Sequence, residues 1–302
     1  MSKDLEVECS KEIVMILSAA KRFGLLDGVN RIQAERLIAF TLGFRAKSSI
    51  SRRCNVEAAA FPIAKGHALV LSKKARRVDD LTCEEFQDVF CKIREHVFWA
   101  DAYNISIKDG DAAGQAIPNF HVHIVPRFKD DGIDGDEIYE LIDNWTPTGV
   151  KNTNKGAPME LPDDSQRRAR TADVMRNEAR GFRKLIGFET SEEKNSTIMF
   201  GPHSIPIRNQ VFYKSNLSFA LVNLKPLQAG HVLVCPLRSV HRIRDLHEDE
   251  INDLAKSVLK VRAMLYEQYG ALGFNIGIQD GKAAGQSVPH VHVHLIPRGR
   301  QR

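Results

Sequence analysis

Residues 289–298 read PHVHVHLIPR and residues 118–127 read PNFHVHIVPR, so one sequence motif occurs twice in this chain. The longer stretches DGDAAGQAIPNFHVHIVPR, from Asp109, and DGKAAGQSVPHVHVHLIPR, from Asp280, are identical at twelve of nineteen positions. Upstream of them, FPIAKGHALVLS from Phe61 matches KPLQAGHVLVCP from Lys225. Two matched blocks in the same order indicate an internal duplication, and we call the halves copy one and copy two.

Both copies combine short strands with one helix. Strand patterns occur at HALVLS, NISIK and FHVHIV in copy one, and at LSFALVNL, HVLVCP, FNIGIQ and VHVHLI in copy two. Between the blocks, apolar residues recur at helical spacing from Phe86 to Val97 and from Ile251 to Leu265. Thr82 followed by Glu85 predicts a capping box at the start of the first helix. The predicted fold class is α+β, with two tandem units of antiparallel sheet and helix.

The order of these patterns divides the chain into four segments. We predict an N-terminal helical extension over residues 1–40, copy one over 41–129, a linker with a basic helical segment over 130–195, and copy two over 196–302. The linker begins with the acidic FKDDGIDGDEIYE and continues as a polar stretch rich in helix breakers, which indicates flexibility.

The end of the linker, SQRRARTADVMRNEARGFRKLIGF, is rich in arginine. Such a basic helix is compatible with contact to RNA or a membrane surface. The segment also has a partial apolar face, formed by Val174, Met175, Phe182, Leu185 and Ile186. This face favours a helix with one solvated side, docked on the two copies.

The composition is that of an ordinary globular protein. Of 302 residues, 43% are hydrophobic and 27% are charged, and the formal charge of +5 suits a phosphorylated ligand. There is no run of about 18 apolar residues, and the N-terminus does not resemble a signal peptide. Five scattered cysteines without a C-x-x-C pair indicate reduced thiols. We expect a cytoplasmic protein, with the nucleus as the alternative compartment.

The alternating histidines point to chemistry. Side chains two apart on a strand lie on one face about 7 Å apart, so His290, His292 and His294 are predicted to share a surface. Imidazole is a common zinc ligand, but no acidic or cysteine partner accompanies this cluster. Neutral imidazole is also a nucleophile near pH 7 when a hydrogen bond holds its other nitrogen. The preceding loop DGKAAGQSVP supplies glycines for close approach to an anion, and polar contacts from Gln286 and Ser287. The combination favours covalent catalysis at a phosphate.

HVHVHLI resembles the motif of the histidine-triad (HIT) family. About a third of the chain closely resembles its Fhit branch, the dinucleoside-triphosphate hydrolases, through LSFALVNLKPLQAGHVLVCPLRSV and NIGIQDGKAAGQSVPHVHVHLIPR. The P-R ending is typical of this branch rather than of the Hint-like branch. The resemblance implies hydrolysis of dinucleoside polyphosphates, with diadenosine triphosphate as favoured substrate and AMP and ADP as products. It also implies that the two copies pair through their sheets as an intramolecular pseudo-dimer.

The same resemblance implies roles for residues of copy two. His292 would attack the α-phosphorus and form a nucleotidyl-histidine that water resolves, while His294 contacts the α-phosphate on the leaving-group side. His290 would orient His292, and His231 would support the cluster from the adjacent strand. The implied substrate-binding residues are Asn223 at the ribose, Gln279 near the bridging oxygen, Gln286 and Ser287 in the loop, and Leu221, Leu233 and Phe200 around the base.

Copy one departs from this pattern. It retains the counterparts of three site histidines, which are His67, His121 and His123. Three other positions differ: Asn119 replaces the first triad histidine, Ala59 stands opposite Asn223, and Lys108 stands opposite Gln279. We predict a degenerate half whose main role is structural. A second site with altered substrate preference, in which Lys108 holds a phosphate, and a site that binds without turnover remain the alternatives.

Two other functions remain open. The first is a nucleotidyltransferase or phosphorylase of the same family, in which phosphate resolves the intermediate. The second is a slow nucleotide-binding signalling module. We expect a small-molecule nucleotide as the partner, rather than nucleic acid or a membrane. No covalently bound cofactor is predicted, and magnesium is expected only as an ion that accompanies the substrate's phosphates.

Overall fold

The computed structural model describes residues 54–133, 137–150, 167–189 and 196–299. The predicted N-terminal extension and the polar residues 151–166 of the predicted linker lie outside these ranges. The described strands and helices, in chain order, are β1 (Cys54–Ala58), β2 (Ala68–Ser72), α1 (Cys83–His96), β3 (Ala102–Asp109), β4 (His121–Arg127), α2 (Glu137–Asn144), α3 (Ala172–Ile186), β5 (Thr197–Phe200), β6 (His203–Pro206), α4 (Ile207–Gln210), β7 (Val211–Lys214), β8 (Ser218–Val222), β9 (Val232–Pro236), α5 (Glu248–Tyr269), β10 (Gly273–Asp280) and β11 (Val293–Arg298).

Nine of the described strands form one antiparallel sheet in the order β1-β2-β4-β3-β10-β11-β9-β8-β7, and β5 pairs with β6 separately. The two copies meet where β3 pairs with β10, in a register that runs from Phe274 opposite Asp109 to Asp280 opposite Tyr103. Each copy covers the inner sheet edge of the other, so neither edge is left unpaired. The predicted α+β class with two antiparallel units is confirmed.

The two long helices follow from local sequence signals. Thr82 accepts a hydrogen bond from the Glu85 backbone N–H, and the Glu85 carboxylate accepts one from the Thr82 N–H, as the predicted capping box requires. α1 then buries Phe86, Val89, Phe90 and Ile93 on one face. The predicted stripe of α5 is completely buried, and its members are Ile251, Leu254, Val258, Val261 and Leu265.

Charged side chains reinforce the junction between the copies. Arg262 of α5 pairs with Asp79 and with Asp109, both at 2.6 Å, and the Asp109 side chain has no exposure to solvent. Two amides cross the junction in equivalent positions: Asn104 donates to the Ala284 carbonyl (3.0 Å) and Asn275 to the Ala113 carbonyl (3.3 Å). Breaking a buried ion pair leaves a desolvated charge without compensation, so these contacts disfavour separation of the copies.

The segment between the copies is more ordered than predicted. Residues 137–144 were expected to belong to a flexible linker, and this prediction is wrong, because they form α2. Ile138 and Ile142 are four residues apart and thus share one helical face, which packs on Val125 of β4. The acidic composition of the stretch makes this apolar pair difficult to recognise in the sequence.

The basic helix α3 docks on copy two, as predicted from its apolar face. Met175 and Phe182 are buried, and the Arg183 guanidinium donates to the Val211 carbonyl (2.8 Å). Val174 and Leu185 do not belong to the buried face, because their side chains are 50% and 55% exposed. In the described ranges, no helix has the length and apolar composition to cross a membrane.

Candidate active site

The end of β11 and the residues just before it carry the three alternating histidines. Ladder pairing begins at Val293, opposite Val234 of β9, so the strand starts two residues later than predicted. His290 and His292 therefore lie in the approach to the strand, and His294 lies within it. The rings of His292 and His294 still contact each other edge-to-face, with centroids 4.9 Å apart.

His290 is a positioning residue by its contacts. Its Nε2 lies 2.8 Å from the Pro236 carbonyl, and its Nδ1 accepts the Gly201 N–H at 2.9 Å. A carbonyl only accepts, so the proton is on Nε2, and both ring nitrogens are engaged. The His290 carbonyl in turn lies 2.7 Å from Nδ1 of His292. His292 therefore donates from Nδ1 and keeps the lone pair on Nε2, as a nucleophile requires.

The second proton is placed by a relay that starts in the residues just before β9. The Leu227 N–H donates to Nδ1 of His231 (3.1 Å), so His231 carries its proton on Nε2. That Nε2 lies 2.9 Å from Nδ1 of His294, which consequently accepts. Neutral His294 then carries its proton on Nε2, an atom that is buried and makes no hydrogen bond within the described part of the chain. The cluster thus presents a lone pair and an N–H donor from adjacent rings.

Burial keeps these imidazoles neutral. It lowers the pKa of His290 to about 4, and it lowers the pKa of His292 against the opposing effect of the His290 carbonyl. Burial lowers the pKa of His231 to about 3, with added repulsion from Arg167 and Arg170. The pKa of His294 is well below its usual range for the same reason, with Arg167 again contributing. All four rings are therefore uncharged at pH 7.

The predicted substrate residues surround this cluster. The Asn223 amide accepts the Lys225 N–H (2.9 Å), and its nitrogen lies 3.2 Å from Nε2 of His231. Gln279 reaches the glycine loop, since a Cβ on Gly285 would lie 2.9 Å from its Nε2. Ser287 is exposed in the same loop.

Gln286 has a different position from the one expected of a phosphate ligand. It accepts the Gly281 N–H (3.2 Å) and donates to the carbonyls of His241 (3.0 Å) and His290 (3.3 Å). Its amide therefore holds the loop and the start of the histidine segment together. These contacts give Gln286 a positioning role, and the phosphate contact expected of it stays a prediction.

The residues predicted to surround the base lie together in the structure. Leu221 and Leu233 belong to one buried cluster with Phe200, at 3%, 6% and 6% exposure. The Phe200 ring also contacts the rings of His290 and His292, at centroid distances of 5.5 and 5.4 Å. β5, which contributes Phe200, thus brings an aromatic surface next to the proposed nucleophile.

Two arginines of the basic segment reach this site, and sequence reasoning missed them. The Arg170 Nε donates to the Asn223 carbonyl (3.0 Å), and its Nη1 pairs with Glu178 (2.6 Å). Arg167 adds positive charge next to His231 and His294. The arginine-rich stretch is visible in the sequence. It was interpreted as the solvated face of a docked helix, so the approach of Arg167 and Arg170 to the site was not predicted.

Copy one repeats the relay. The Ile63 N–H donates to Nδ1 of His67 (3.2 Å), and Nε2 of His67 lies 3.0 Å from Nδ1 of His123. Nδ1 of His121 lies 2.9 Å from the Asn119 carbonyl. Burial lowers the pKa of both His67 and His121 to about 4 and holds that of His123 well below its usual range.

Lys108 is engaged within the chain. Its buried ammonium forms an ion pair with Asp143 at the end of α2, where the second-site alternative places a phosphate. Its charge also opposes protonation of His121 and His123. Within the described ranges, no group of three or more His, Cys, Asp or Glu side chains is placed to hold a metal ion.

The family model of the HIT domain matches residues 51–130 and 206–301, which together make up more than half of the chain. This chain belongs to the HIT domain family. Both copies are HIT domains, and the matched ranges leave the two helices of the intervening segment outside.

Several characterised proteins resemble this HIT protein. An asymmetrical bis(5′-nucleosyl)-tetraphosphatase of Schizosaccharomyces pombe is 56% identical over 93 residues, 31% of this chain and 51% of the relative. A bis(5′-adenosyl)-triphosphatase of Dictyostelium discoideum is 48% identical over 103 residues, 34% of this chain and 68% of the relative. The solved NitFhit protein of C. elegans is 40% identical with a TM-score of 0.34, over 42% of this chain and 32% of that one. The chain thus spans about half to two-thirds of the length of these curated relatives.

Proposed function

We propose that the HIT domain of copy two hydrolyses dinucleoside polyphosphates, with diadenosine triphosphate as favoured substrate. The observation that carries this proposal is the paired display of a lone pair on His292 Nε2 and an N–H on His294 Nε2. Relatives named as triphosphatase and tetraphosphatase support the substrate class.

In the first step, His292 Nε2 forms a bond to the α-phosphorus as the bond from phosphorus to the bridging oxygen breaks. ADP leaves as an anion and needs no proton. The His294 N–H donates to a phosphoryl oxygen, where charge develops. The ring of His292 becomes cationic because it keeps its Nδ1 proton, and the His290 carbonyl 2.7 Å away stabilises that charge.

In the second step, water attacks the same phosphorus and the bond to Nε2 breaks. AMP is released, the water proton passes to solvent, and His292 returns to its neutral form with the Nδ1 proton in place. Phe200, Leu221 and Leu233 offer the adenine ring a buried apolar surface. Magnesium would enter with the polyphosphate. The cytoplasm is the proposed location, and the cysteines of the described residues, which are free thiols, support it.

The intramolecular pairing of the two HIT domains is part of this proposal. The β3–β10 ladder and the pairs made by Arg262 would hold copy one as a permanent partner of copy two. Small-molecule nucleotides remain the proposed ligand. The basic helix α3 docks on copy two through its buried face, which supports a role within the protein rather than at a nucleic acid.

The first test is hydrolysis of diadenosine triphosphate and tetraphosphate by the wild type, His292→Ala and His121→Ala. We expect AMP with ADP or ATP from the wild type and from His121→Ala, and a rate at least 10³-fold lower, as an order of magnitude, from His292→Ala. Activity of His292→Ala that disappears when His121 is also replaced would assign turnover to copy one.

The same assay separates the alternatives. Products that require added inorganic phosphate and retain it as a new terminal phosphate would identify a phosphorylase. Tight dinucleotide binding with negligible turnover by the wild type would identify a binding module and refute the hydrolase assignment.

A further inference from the structure

The histidine cluster of copy one is covered by its own chain. α2 packs Ile138 and Ile142 on Val125, and the residues after it return over β2. There Trp145 is only 5% exposed, and its indole N–H donates to the Phe61 carbonyl (2.7 Å). We call residues 137–150 the cap segment.

The Trp145 indole lies against all three retained histidines. Its ring centroid is 4.9 Å from that of His123, 5.9 Å from that of His67 and 6.3 Å from that of His121. The contacts with His123 and His67 are edge-to-face, a favourable arrangement for aromatic rings. A planar aromatic group thus packs against the retained histidines and lies closest to His123.

The duplication shows what the indole covers. Trp145 forms a buried cluster with Ala59 and Leu69, and Leu71 and Ala116 pack alongside. By alignment of the copies, the corresponding residues of copy two are Asn223, Leu233, Cys235 and Ser287. The ribose and phosphate positions of copy two are thus alanines in copy one. Two polar positions of copy two are therefore apolar in copy one where the indole lies.

The cluster beneath the indole keeps polar groups that nothing satisfies. The Nε2 atoms of His121 and His123 are buried, and neither makes a hydrogen bond to any described residue. The relay assigns a lone pair to the first and a proton to the second, the same pair that copy two presents. A buried polar atom without a partner is unfavourable, so these two atoms are suited to hydrogen bonding with a ligand.

The cap segment also supplies an anion. Asp143, two residues before Trp145, places its carboxylate on the Lys108 ammonium, whose side chain is 3% exposed. Lys108 corresponds to Gln279, the residue near the bridging phosphate oxygen in the site of copy two. An aromatic ring packed on the histidines and a carboxylate paired with Lys108 therefore lie in copy one next to residues that correspond to the proposed substrate site of copy two.

We propose that copy one is a second site for a nucleoside monophosphate, and that Trp145 and Asp143 of the cap segment close it by taking the positions of nucleoside and phosphate. The inference rests on the proposed nucleotide chemistry of copy two, from which the positions are mapped. Nucleotide binding at copy one requires the cap segment to move away from the histidines, so the nucleotide and the cap segment compete for the same position.

The test is the stoichiometry of AMP binding to the full-length chain by titration calorimetry. We expect one AMP per chain for the wild type and for Trp145→Phe, which keeps an aromatic ring over the histidines. Trp145→Ala and Trp145→Leu should bind two, and adding His123→Ala should remove the second. The leucine retains most of the apolar volume, so it carries the test if the alanine variant loses its cooperative unfolding transition.

The outcomes separate the two proposals. Binding of only one AMP by both Trp145→Ala and Trp145→Leu would refute the proposal for copy one. Binding of a second AMP that persists after His123→Ala would refute it as well. A wild type that binds no AMP refutes the assignment of copy two, whereas a site gained on replacing Trp145 would still support the inference for copy one.

Discussion

At the scale of single residues, the backbone decides which nitrogen of each histidine carries a proton. The His290 carbonyl fixes the proton of His292 on Nδ1, and the Leu227 N–H places that of His231 on Nε2. Reactivity thus depends on main-chain groups, and one of them, the Leu227 N–H, lies outside the H-V-H-V-H motif. Replacement of a positioning residue should then change rate more than stability.

Gly285 provides such a case. Alanine at Gly285 or at Gly270 would adopt a left-handed backbone, with φ of 87° and 57°, at a cost of about 1–2 kcal/mol. Only at Gly285 would the new Cβ lie 2.9 Å from Gln279 Nε2, whereas at Gly270 nothing lies within 4 Å. We expect similar losses of melting temperature, but a several-fold lower kcat/KM on diadenosine triphosphate for Gly285→Ala alone. Equal kcat/KM values would remove Gln279 from the site.

At the scale of elements, the segment between the copies contributes to both histidine clusters. α2 and the residue after it bring Asp143 and Trp145 to copy one, and the residues preceding α3 bring Arg167 and Arg170 to copy two. The two ends of the segment thus act oppositely. One fills a cluster, and the other holds the Asn223 backbone beside a cluster predicted to bind substrate.

Arg170→Ala tests the second contact, with Arg168→Ala as a charge-matched control because Arg168 is exposed. Loss of a charge-assisted hydrogen bond worth about 1.5 kcal/mol should lower kcat/KM roughly tenfold through misplacement of Asn223. The control should change kcat/KM less than twofold. Steady-state kinetics at fixed ionic strength measures both, and equal losses would indicate only a general effect of charge.

At the scale of the whole molecule, both halves bury neutral histidines. Seven of them have lowered pKa values because burial penalises the charged ring: His67, His121, His123, His231, His290, His292 and His294. They lie on both sides of the β3–β10 junction, within or next to the strands of one continuous sheet. Acid should therefore act on both copies together.

The sign follows from proton linkage. Above pH 6.5 these rings are neutral in both the folded and the unfolded chain. Below pH 6.5 the histidines of the unfolded chain become protonated, whereas those of the folded chain stay neutral until their lower pKa is reached. Each such histidine lowers the free energy of unfolding by up to about 1.4 kcal/mol per pH unit as pH falls from 6.5 towards its folded pKa. Urea denaturation should show a marked loss between pH 7.5 and 5, and a smaller slope for His67→Gln. A free energy independent of pH would contradict the buried neutral state.

The fold was largely predictable from the sequence, because it depends on local signals repeated twice. Thr82 with Glu85, the stripe of α5 and the alternating strands each act within a few residues, so the α+β units and the histidine positions could be inferred. α2 was not predicted, because Ile138 and Ile142 are its only buried apolar residues and they lie within an acidic stretch.

The sequence by itself determined the duplication, the two histidine clusters and the loss of Asn223 and Gln279 equivalents in copy one. Only the tertiary structure decided that His292 and His294 present a lone pair beside a proton, since Pro236, Leu227 and His231 are distant in sequence. It also decided that Trp145 covers copy one and Arg170 contacts copy two. Such contacts depend on how packed elements bring remote segments together, and no local periodicity encodes that.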